Sequence, residues 1–104
     1  MIVYYNGQYM QEEEVVISPF DHGFLYGMGI FETIRIYDGH PFLLYDHMQR
    51  LQNGLREMNI DAIVNTEKIE MILQELLVLN KIRNARVRIN YSAGIGKASL
   101  PDAS

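Results

Sequence analysis

Two turn dipeptides, Asn6-Gly7 and Asp38-Gly39, constrain the fold of this 104-residue chain more than any other feature. Both favour the type I′ turn, whose two central residues need positive φ. The first dipeptide follows the apolar residues 2–5, and the second follows residues 31–37, in which the side chains alternate between two faces. Each pattern predicts a β-hairpin, so the chain is expected to form antiparallel sheet.

The segments after these turns predict further strands. Residues 8–10 and 41–44 contain apolar and aromatic side chains, as the returning strand of a hairpin requires. Another short strand is predicted over Val15–Ile17, and it ends at Ser18-Pro19. A last strand is predicted over Ala85–Tyr91, because its side chains alternate again.

Between the second hairpin and the last strand, the hydrophobic period is that of a helix. A first helix is predicted from Asp46, its expected N-cap, to about Asn59. A second is predicted over Thr66–Asn80, with Thr66 as its N-cap. The side chains expected to be buried are Met48, Leu51, Leu55 and Met58 in the first helix, and Ile69, Ile72, Leu73, Leu76 and Leu79 or Asn80 in the second.

Together these elements predict an α+β fold, a small antiparallel sheet of hairpins with two helices packed on one face. The length is that of one domain. The net charge is −4 and the Lys and Arg residues form no run, so neither nucleic acid nor a membrane surface is an expected partner. No apolar run has the length of a membrane span or a signal peptide, so a cytoplasmic location is the expected default.

Metal and thiol chemistry are not expected. The chain has no cysteine, which excludes disulfides and cysteine-based zinc sites. The three histidines, at positions 22, 40 and 47, lack the spacing of a helical metal site. His40 is interpreted as a hairpin residue and His47 as a surface residue at the start of a helix.

Two features of residues 21–37 suggest a ligand-binding surface. Gly23, Gly27 and Gly29 lie among large apolar side chains, and either a backbone close to a ligand or a buried tight turn would explain them. The strand that follows carries on one face Phe31, Thr33, Arg35 and Tyr37. Such a mixture of aromatic and polar side chains is typical of a pocket wall.

Arg50 flanks the apolar stripe of the first predicted helix. An arginine there can extend its alkyl chain along the surface to reach water. It can also present its guanidinium fork to a phosphate. The residues alone favour the first interpretation.

The order of these motifs resembles the N-terminal domain of the class IV pyridoxal-phosphate (PLP) aminotransferase family. The resemblance rests on residues 21–35, a short hairpin and residues 47–51, and it covers almost the whole chain. That family includes branched-chain aminotransferases, D-amino acid aminotransferases and aminodeoxychorismate lyases. The chain is most similar to the aminodeoxychorismate lyases of Gram-positive bacteria, over residues 17–23, 40–44 and 84–90.

The resemblance implies roles for individual side chains. Arg50 matches the arginine that binds the cofactor phosphate, which reverses the interpretation drawn from the residues alone. The residues that match positions lining the substrate pocket are Tyr26, Phe31, Arg35 and Arg88. Glu32 matches the motif but belongs to the other face of the strand, so a structural role is expected for it.

The resemblance also implies what lies outside this chain. Enzymes of the family form a Schiff base with a lysine of a larger second domain, and Lys68, Lys81 and Lys97 do not match that position. Residues 1–104 are therefore expected to be the N-terminal small domain, without the C-terminal PLP-lysine domain. The chain alone is expected to bind PLP weakly or not at all and to be inactive.

The implied function is conversion of 4-amino-4-deoxychorismate to p-aminobenzoate and pyruvate, in folate biosynthesis, by a PLP-dependent homodimer. A branched-chain or other class IV amino acid aminotransferase is the alternative within the family. Ala93 stands where D-amino acid aminotransferases carry a carboxylate-binding arginine, which disfavours their reaction. A stand-alone interaction domain without enzymatic activity is the alternative of another class, because the Schiff-base lysine is missing.

Overall fold

The computed structural model describes residues 1–94, which form an α+β fold as predicted. The elements are β1 (Ile2–Tyr5), β2 (Gln8–Gln11), a 3₁₀ turn (Glu12–Glu14), α1 (His22–Tyr26), β3 (Gly29–Tyr37), β4 (His40–Pro41), α2 (Leu44–Glu57), α3 (Thr66–Asn80) and β5 (Ala85–Ser92). Both predicted hairpin turns form, and all four of their central residues have positive φ.

The strands form two antiparallel sheets, where the sequence predicted one. β1 pairs with β2, and β3 lies between β4 and β5 in a three-stranded sheet. The first hairpin packs on the C-terminal end of α3 instead of extending the larger sheet. There the backbone N–H of Ile2 donates to Oδ1 of Asn80 at 2.7 Å, and Nδ2 of Asn80 donates to the carbonyl of Ile2 at 2.9 Å.

The hydrophobic core lies between β3 and the two long helices. Its buried side chains are Ile34 and Ile36 from β3, Met48, Leu51 and Leu55 from α2, and Ile69, Leu73 and Leu77 from α3. The stripe of α3 advances in steps of four residues, so Leu77 is buried although the sequence analysis missed it. The predicted Ile72 and Leu76 lie half-buried at its margins, and Leu79 is exposed.

Two predicted strands differ from the structure. Val15–Ile17 pairs with no strand of the described part of the chain, and both Val16 and Ile17 are exposed. The strand after the second turn spans only His40–Pro41. It is short because Leu43 has a φ of 54°, in the left-handed region, and α2 begins at the next residue.

The predicted N-caps of both long helices are also wrong. Leu43 is the N-cap of α2, and Asp46 lies inside the first turn, where its carboxylate still faces the positive end of the helix. Asn65 caps α3 one residue before the predicted Thr66, because its Oδ1 accepts a hydrogen bond from the backbone N–H of Lys68 at 3.0 Å. The bounds of α3 are those predicted.

Both long helices contribute to the core on the same side of β3, through Ile34 and Ile36. Alternate residues of β3 and β5 point to the other side and are exposed. Within residues 1–94 the fold therefore leaves one face of the three-stranded sheet open, and this open face holds most of the predicted site residues.

Candidate binding site

The open face of the sheet brings together three of the predicted pocket residues. Phe31, Arg35 and Arg88 are exposed on β3 and β5, and the register places Thr33 opposite Arg88. Side chains of directly opposed residues share a face and lie within contact distance. The predicted pocket wall is thus a surface formed by two neighbouring strands.

A cation–π contact organises one end of this open face. The guanidinium carbon of Arg88 lies 3.8 Å from the ring centroid of Phe31. Nε of Arg88 also donates to Oδ1 of Asn90 at 3.0 Å. The ring and the amide hold the guanidinium in place, and within residues 1–94 its two Nη groups make no hydrogen bond and remain available to a ligand.

The open face carries an excess of positive charge. Arg86, which the sequence analysis did not single out, lies directly opposite Arg35, and both side chains are exposed. Within residues 1–94 neither of them, nor Arg88, forms an ion pair with a carboxylate. Opposed like charges destabilise a sheet, so the arrangement favours an anionic ligand. The alternation of residues 85–91 was the signal that could have found Arg86.

Tyr26 lies apart from this group, at the end of α1. Its ring is 55% exposed and makes an edge-to-face contact with the buried His22, at 5.4 Å between centroids. Asp21 is the N-cap of α1, because its side chain accepts a hydrogen bond from the backbone N–H of Gly23 at 2.7 Å. Tyr26 is therefore on a firmly capped turn, but no contact joins it to the arginines.

The structure explains two of the clustered glycines without a ligand. Gly27 ends α1 with a φ of 68°, a conformation that other residues adopt with strain. A Cβ at Gly29 would lie 2.8 Å from the carbonyl oxygen of Tyr91 on β5. The turn at Gly27 is tight but exposed, so the buried turn that the sequence left open is wrong there, and the close approach of β5 accounts for Gly29.

Arg50 lies on the helix side of the sheet, where Glu32 of β3 holds it. Nη2 of Arg50 donates to Oε1 of Glu32 at 2.9 Å, and Nε donates to Oε2 at 3.3 Å. The side chain of Glu32 is 14% exposed and that of Arg50 is 65% exposed. The carboxylate is thus almost covered, and the guanidinium extends from it towards solvent.

His47 completes this cluster and is not the surface residue that was predicted. Its Nδ1 lies 2.6 Å from Oε1 of Glu32, and its side chain is 16% exposed. The hydrogen bond from Arg50 is the main cause that lowers the pKa of Glu32 below its ordinary value, although burial opposes it. Glu32 therefore remains a carboxylate between two donors.

The chemistry of Arg50 fits a phosphate. Within residues 1–94 its Nη1 makes no hydrogen bond, so one edge of the fork remains available while Glu32 holds the other. Lys68 and Lys81 lie in the first turn of α3 and at its C-cap, and neither contacts this cluster. The third lysine, Lys97, lies outside the described residues.

A groove of about 260 Å³ lies at the C-terminal end of α3, and no predicted site residue lines it. In the described part of the chain, no group of three His, Cys, Asp or Glu side chains could hold a metal ion. No helix of residues 1–94 combines the length and the apolar character that crossing a membrane requires.

Comparisons with known proteins show the family of this chain. The family model of amino-transferase class IV matches residues 29–104. Aminodeoxychorismate lyase of Bacillus subtilis is 53% identical over 96 residues, covering 90% of this chain and 33% of the lyase. D-alanine aminotransferase of Staphylococcus haemolyticus is 32% identical over 93 residues, covering 89% of this chain and 33% of that enzyme.

A solved structure shares the fold as well. The branched-chain aminotransferase of the archaeon Thermoproteus uzoniensis, solved with norvaline, has a TM-score of 0.84 and 26% identity. The alignment covers 99% of this chain and 36% of that structure. This chain spans about a third of the length of the curated relatives it matches. On the strength of these matches, the chain belongs to the class IV aminotransferase family, whose members are PLP-dependent enzymes.

Proposed function

We propose that this chain is the N-terminal domain of a PLP-dependent lyase that converts 4-amino-4-deoxychorismate to p-aminobenzoate and pyruvate. The observation that carries the proposal is the group of Arg35, Arg86 and Arg88 on the open face. Each product carries one carboxylate, so the substrate carries two. Several guanidinium groups without carboxylate partners suit such a dianion. The 53% identity to an aminodeoxychorismate lyase supports the same choice.

In this proposal, each side chain acts by binding and orienting. Arg50 holds the phosphate of PLP, and PLP, when bound, supplies the electron sink for the reaction. Arg35, Arg86 and Arg88 hold the substrate carboxylates, and Phe31 gives an apolar surface beside them. Tyr26 limits the pocket at the N-terminal end of β3. This division leaves bond breaking and proton movement to groups outside the chain.

We propose further that the lysine and the base belong to a larger C-terminal domain of a cytoplasmic homodimer. None of the lysines matches the position of the family's Schiff-base lysine. The chain alone is then inactive and binds PLP weakly or not at all. Adding PLP to the purified chain is expected to give no stable lysine-linked absorbance band. A stable adduct with lyase activity would contradict this part of the proposal.

An amino acid aminotransferase is the second candidate. It is supported by the exposed Phe31 ring, which offers a branched apolar side chain a surface, and by the fold shared with branched-chain aminotransferases. The aminotransferase reaction would not require three arginines on the open face. The roles of Arg50 and Tyr26 would be unchanged.

Two assays on the full-length enzyme separate the candidates. One measures p-aminobenzoate release from 4-amino-4-deoxychorismate, and the other measures amino-group transfer to 2-oxoglutarate. We expect release to dominate, and we expect Arg86→Gln to raise KM for the dianionic substrate about tenfold, on the scale of one charge-assisted contact. Dominant transfer with an unchanged KM in the variant would favour the aminotransferase. If the full-length protein has neither activity, the interaction-domain alternative stands.

A further inference from the structure

The carboxylate of Glu32 is the centre of a cluster that none of the roles above explains. It belongs to β3, on the side that packs against the helices, and its neighbour two residues along, Ile34, is fully buried. A carboxylate in such a position costs stability unless it is paired and hydrogen-bond donors surround it. Arg50 and His47 supply those donors from one face of α2, three residues apart.

The short contact fixes where the proton of His47 lies. Nδ1 can donate one hydrogen bond or accept one, and it cannot do both. Its distance of 2.6 Å to Oε1 of Glu32 fits an N–H donor facing a carboxylate. With Nδ1 as donor, the 3.0 Å approach of Nη2 of Arg50 is not a second hydrogen bond to that nitrogen. The imidazole therefore takes no donor from Arg50.

This proton arrangement determines what Arg50 has left. Glu32 uses the hydrogen of Nε and one hydrogen of Nη2. Within residues 1–94 both hydrogens of Nη1 remain without a partner, and Nη1 lies on the side of the fork away from Glu32. Without Glu32, this mostly exposed side chain would sample many rotamers, and binding an anion would have to restrict them. The contact with Glu32 restricts the rotamers of Arg50 before the ligand binds.

We propose that Glu32 and His47 are positioning residues for the anion-binding edge of Arg50. Glu32 fixes the edge of the guanidinium formed by Nε and Nη2. The Nδ1 proton of His47 holds Oε1 of Glu32 in place, and this contact uses no donor of Arg50. The inference rests on the proposed role of Arg50 as the phosphate ligand. It adds that Glu32 assists anion binding although it carries the same charge sign as the anion.

The sign of one substitution separates positioning from charge alone. Glu32→Gln removes a negative charge beside Arg50, so electrostatics alone would tighten the binding of an anion. Positioning predicts the opposite, because one oxygen becomes an NH2 group and the bidentate pair with Nε and Nη2 of Arg50 is lost. We expect the dissociation constant for inorganic phosphate to rise about three- to tenfold, the scale of one charge-assisted hydrogen bond.

The test uses the 104-residue chain and inorganic phosphate, followed through the backbone amide resonances of residues 32, 47 and 50, which every variant retains. His47→Asn keeps an N–H donor near the position of Nδ1 and is expected to bind as the unchanged chain does. His47→Leu removes the donor and is expected to weaken binding as Glu32→Gln does. Asp38→Asn is the matched control, since it breaks another arginine–carboxylate pair, with Arg83, that is exposed and outside the cluster.

A second readout does not depend on binding. The ¹⁵N relaxation of Nε in Arg50 is expected to report an ordered side chain in the unchanged chain and in His47→Asn. It is expected to report a mobile one in Glu32→Gln and His47→Leu. If Glu32→Gln fails to fold, the two His47 variants decide the question by both readouts.

The outcomes separate this inference from the function it rests on. The chain alone is expected to bind phosphate weakly, in the millimolar range. If it shows no saturable response even there, or if Arg50→Ala gives the same response as the unchanged chain, the phosphate role of Arg50 is wrong and the inference is wrong with it. If Arg50→Ala abolishes the response but Glu32→Gln and His47→Leu bind equally well or better, only the positioning role is overturned.

Discussion

The two faces of β3 differ in how completely their side chains are paired. On the helix side, Ile34 and Ile36 are buried in the core, and Glu32 has charged partners for both of its oxygens. On the open face, Arg35 lies opposite another arginine and no carboxylate pairs with it in residues 1–94. The first face stabilises the fold, whereas the second retains unpaired charge, which is the condition for binding an anion. A single strand thus serves both purposes because its side chains alternate.

The largest expected effect comes from the buried face. Ile34→Ala removes a side chain with no exposed surface, and it is expected to lower the free energy of unfolding by about 2–5 kcal/mol through lost burial and the cavity left behind. Thr33→Ala, one residue away on the open face, is the control and is expected to change it by less than about 0.5 kcal/mol. Urea denaturation measures both. Similar effects at the two positions would contradict the contrast between the faces.

Close packing between α2 and β3 gives the next effect. A Cβ at Gly54 would lie 1.8 Å from Cδ1 of Ile30, so Gly54→Ala forces that side chain to move. We expect a loss of about 1–3 kcal/mol, which exceeds the gain in helix propensity. Shortening the neighbour with Ile30→Val is expected to recover part of this loss in the double variant. Additive losses would show that the two residues do not meet.

Acid stability sharpens the comparison at Glu32. The contact with Arg50 lowers the pKa of Glu32 below its ordinary value of 4.5, so its stabilising contribution is present above that pH and is lost as pH falls through the folded-state pKa. Glu32→Gln is expected to cost about 1–2 kcal/mol at neutral pH. The free energy of unfolding of the Glu32→Gln variant should also fall less steeply below pH 4.5 than that of the unchanged chain.

The control for that experiment is again Asp38→Asn. Arg83 also lowers the pKa of Asp38, but both side chains of this pair are exposed to solvent. Exposed pairs are weak, and thus its acid profile should follow that of the unchanged chain. If the free energy of unfolding falls equally with pH in Glu32→Gln and in the unchanged chain, then protonation of Glu32 does not contribute to acid unfolding.

The smallest expected effect is a gain. Arg86→Gln removes the repulsion between opposed arginines on the open face and is expected to stabilise the chain by about 0.2–1 kcal/mol at low salt. The gain should shrink at high salt, because salt screens exposed charges. Thermal unfolding at two salt concentrations measures it. A loss of stability would mean that Arg86 has a structural partner.

The sequence predicted most of the fold because its signals are local. The Asn6-Gly7 and Asp38-Gly39 turns and the alternation of β3 and β5 each depend on neighbouring residues, and the bounds of α3 were correct. Val15–Ile17 failed because β propensity does not say whether a partner strand is present. The packing of β1 on Asn80 was not predicted, because it joins residues far apart in the chain.

The candidate site was predictable only where the alternation of a strand determines it. Phe31 and Arg35 share the open face as the alternation of β3 predicted. The alternation of residues 85–91 puts Arg86 and Arg88 on one face of their strand, and the register of β3 against β5 shows that this face is the open one. The cluster around Arg50 could not be read from spacing alone. It requires Glu32 and His47 to meet across an interface between strand and helix, and that depends on how α2 packs.

The central claim is that the two sides of this sheet bind different anions, and one pair of titrations tests it directly. Backbone and arginine side-chain resonances are followed while inorganic phosphate is added to one sample and a dicarboxylate to another. The account predicts that phosphate shifts Glu32, His47 and Arg50, and that the dicarboxylate shifts residues of the open face around Arg35 and Arg86. Shifts of one common set of residues by both anions would contradict it.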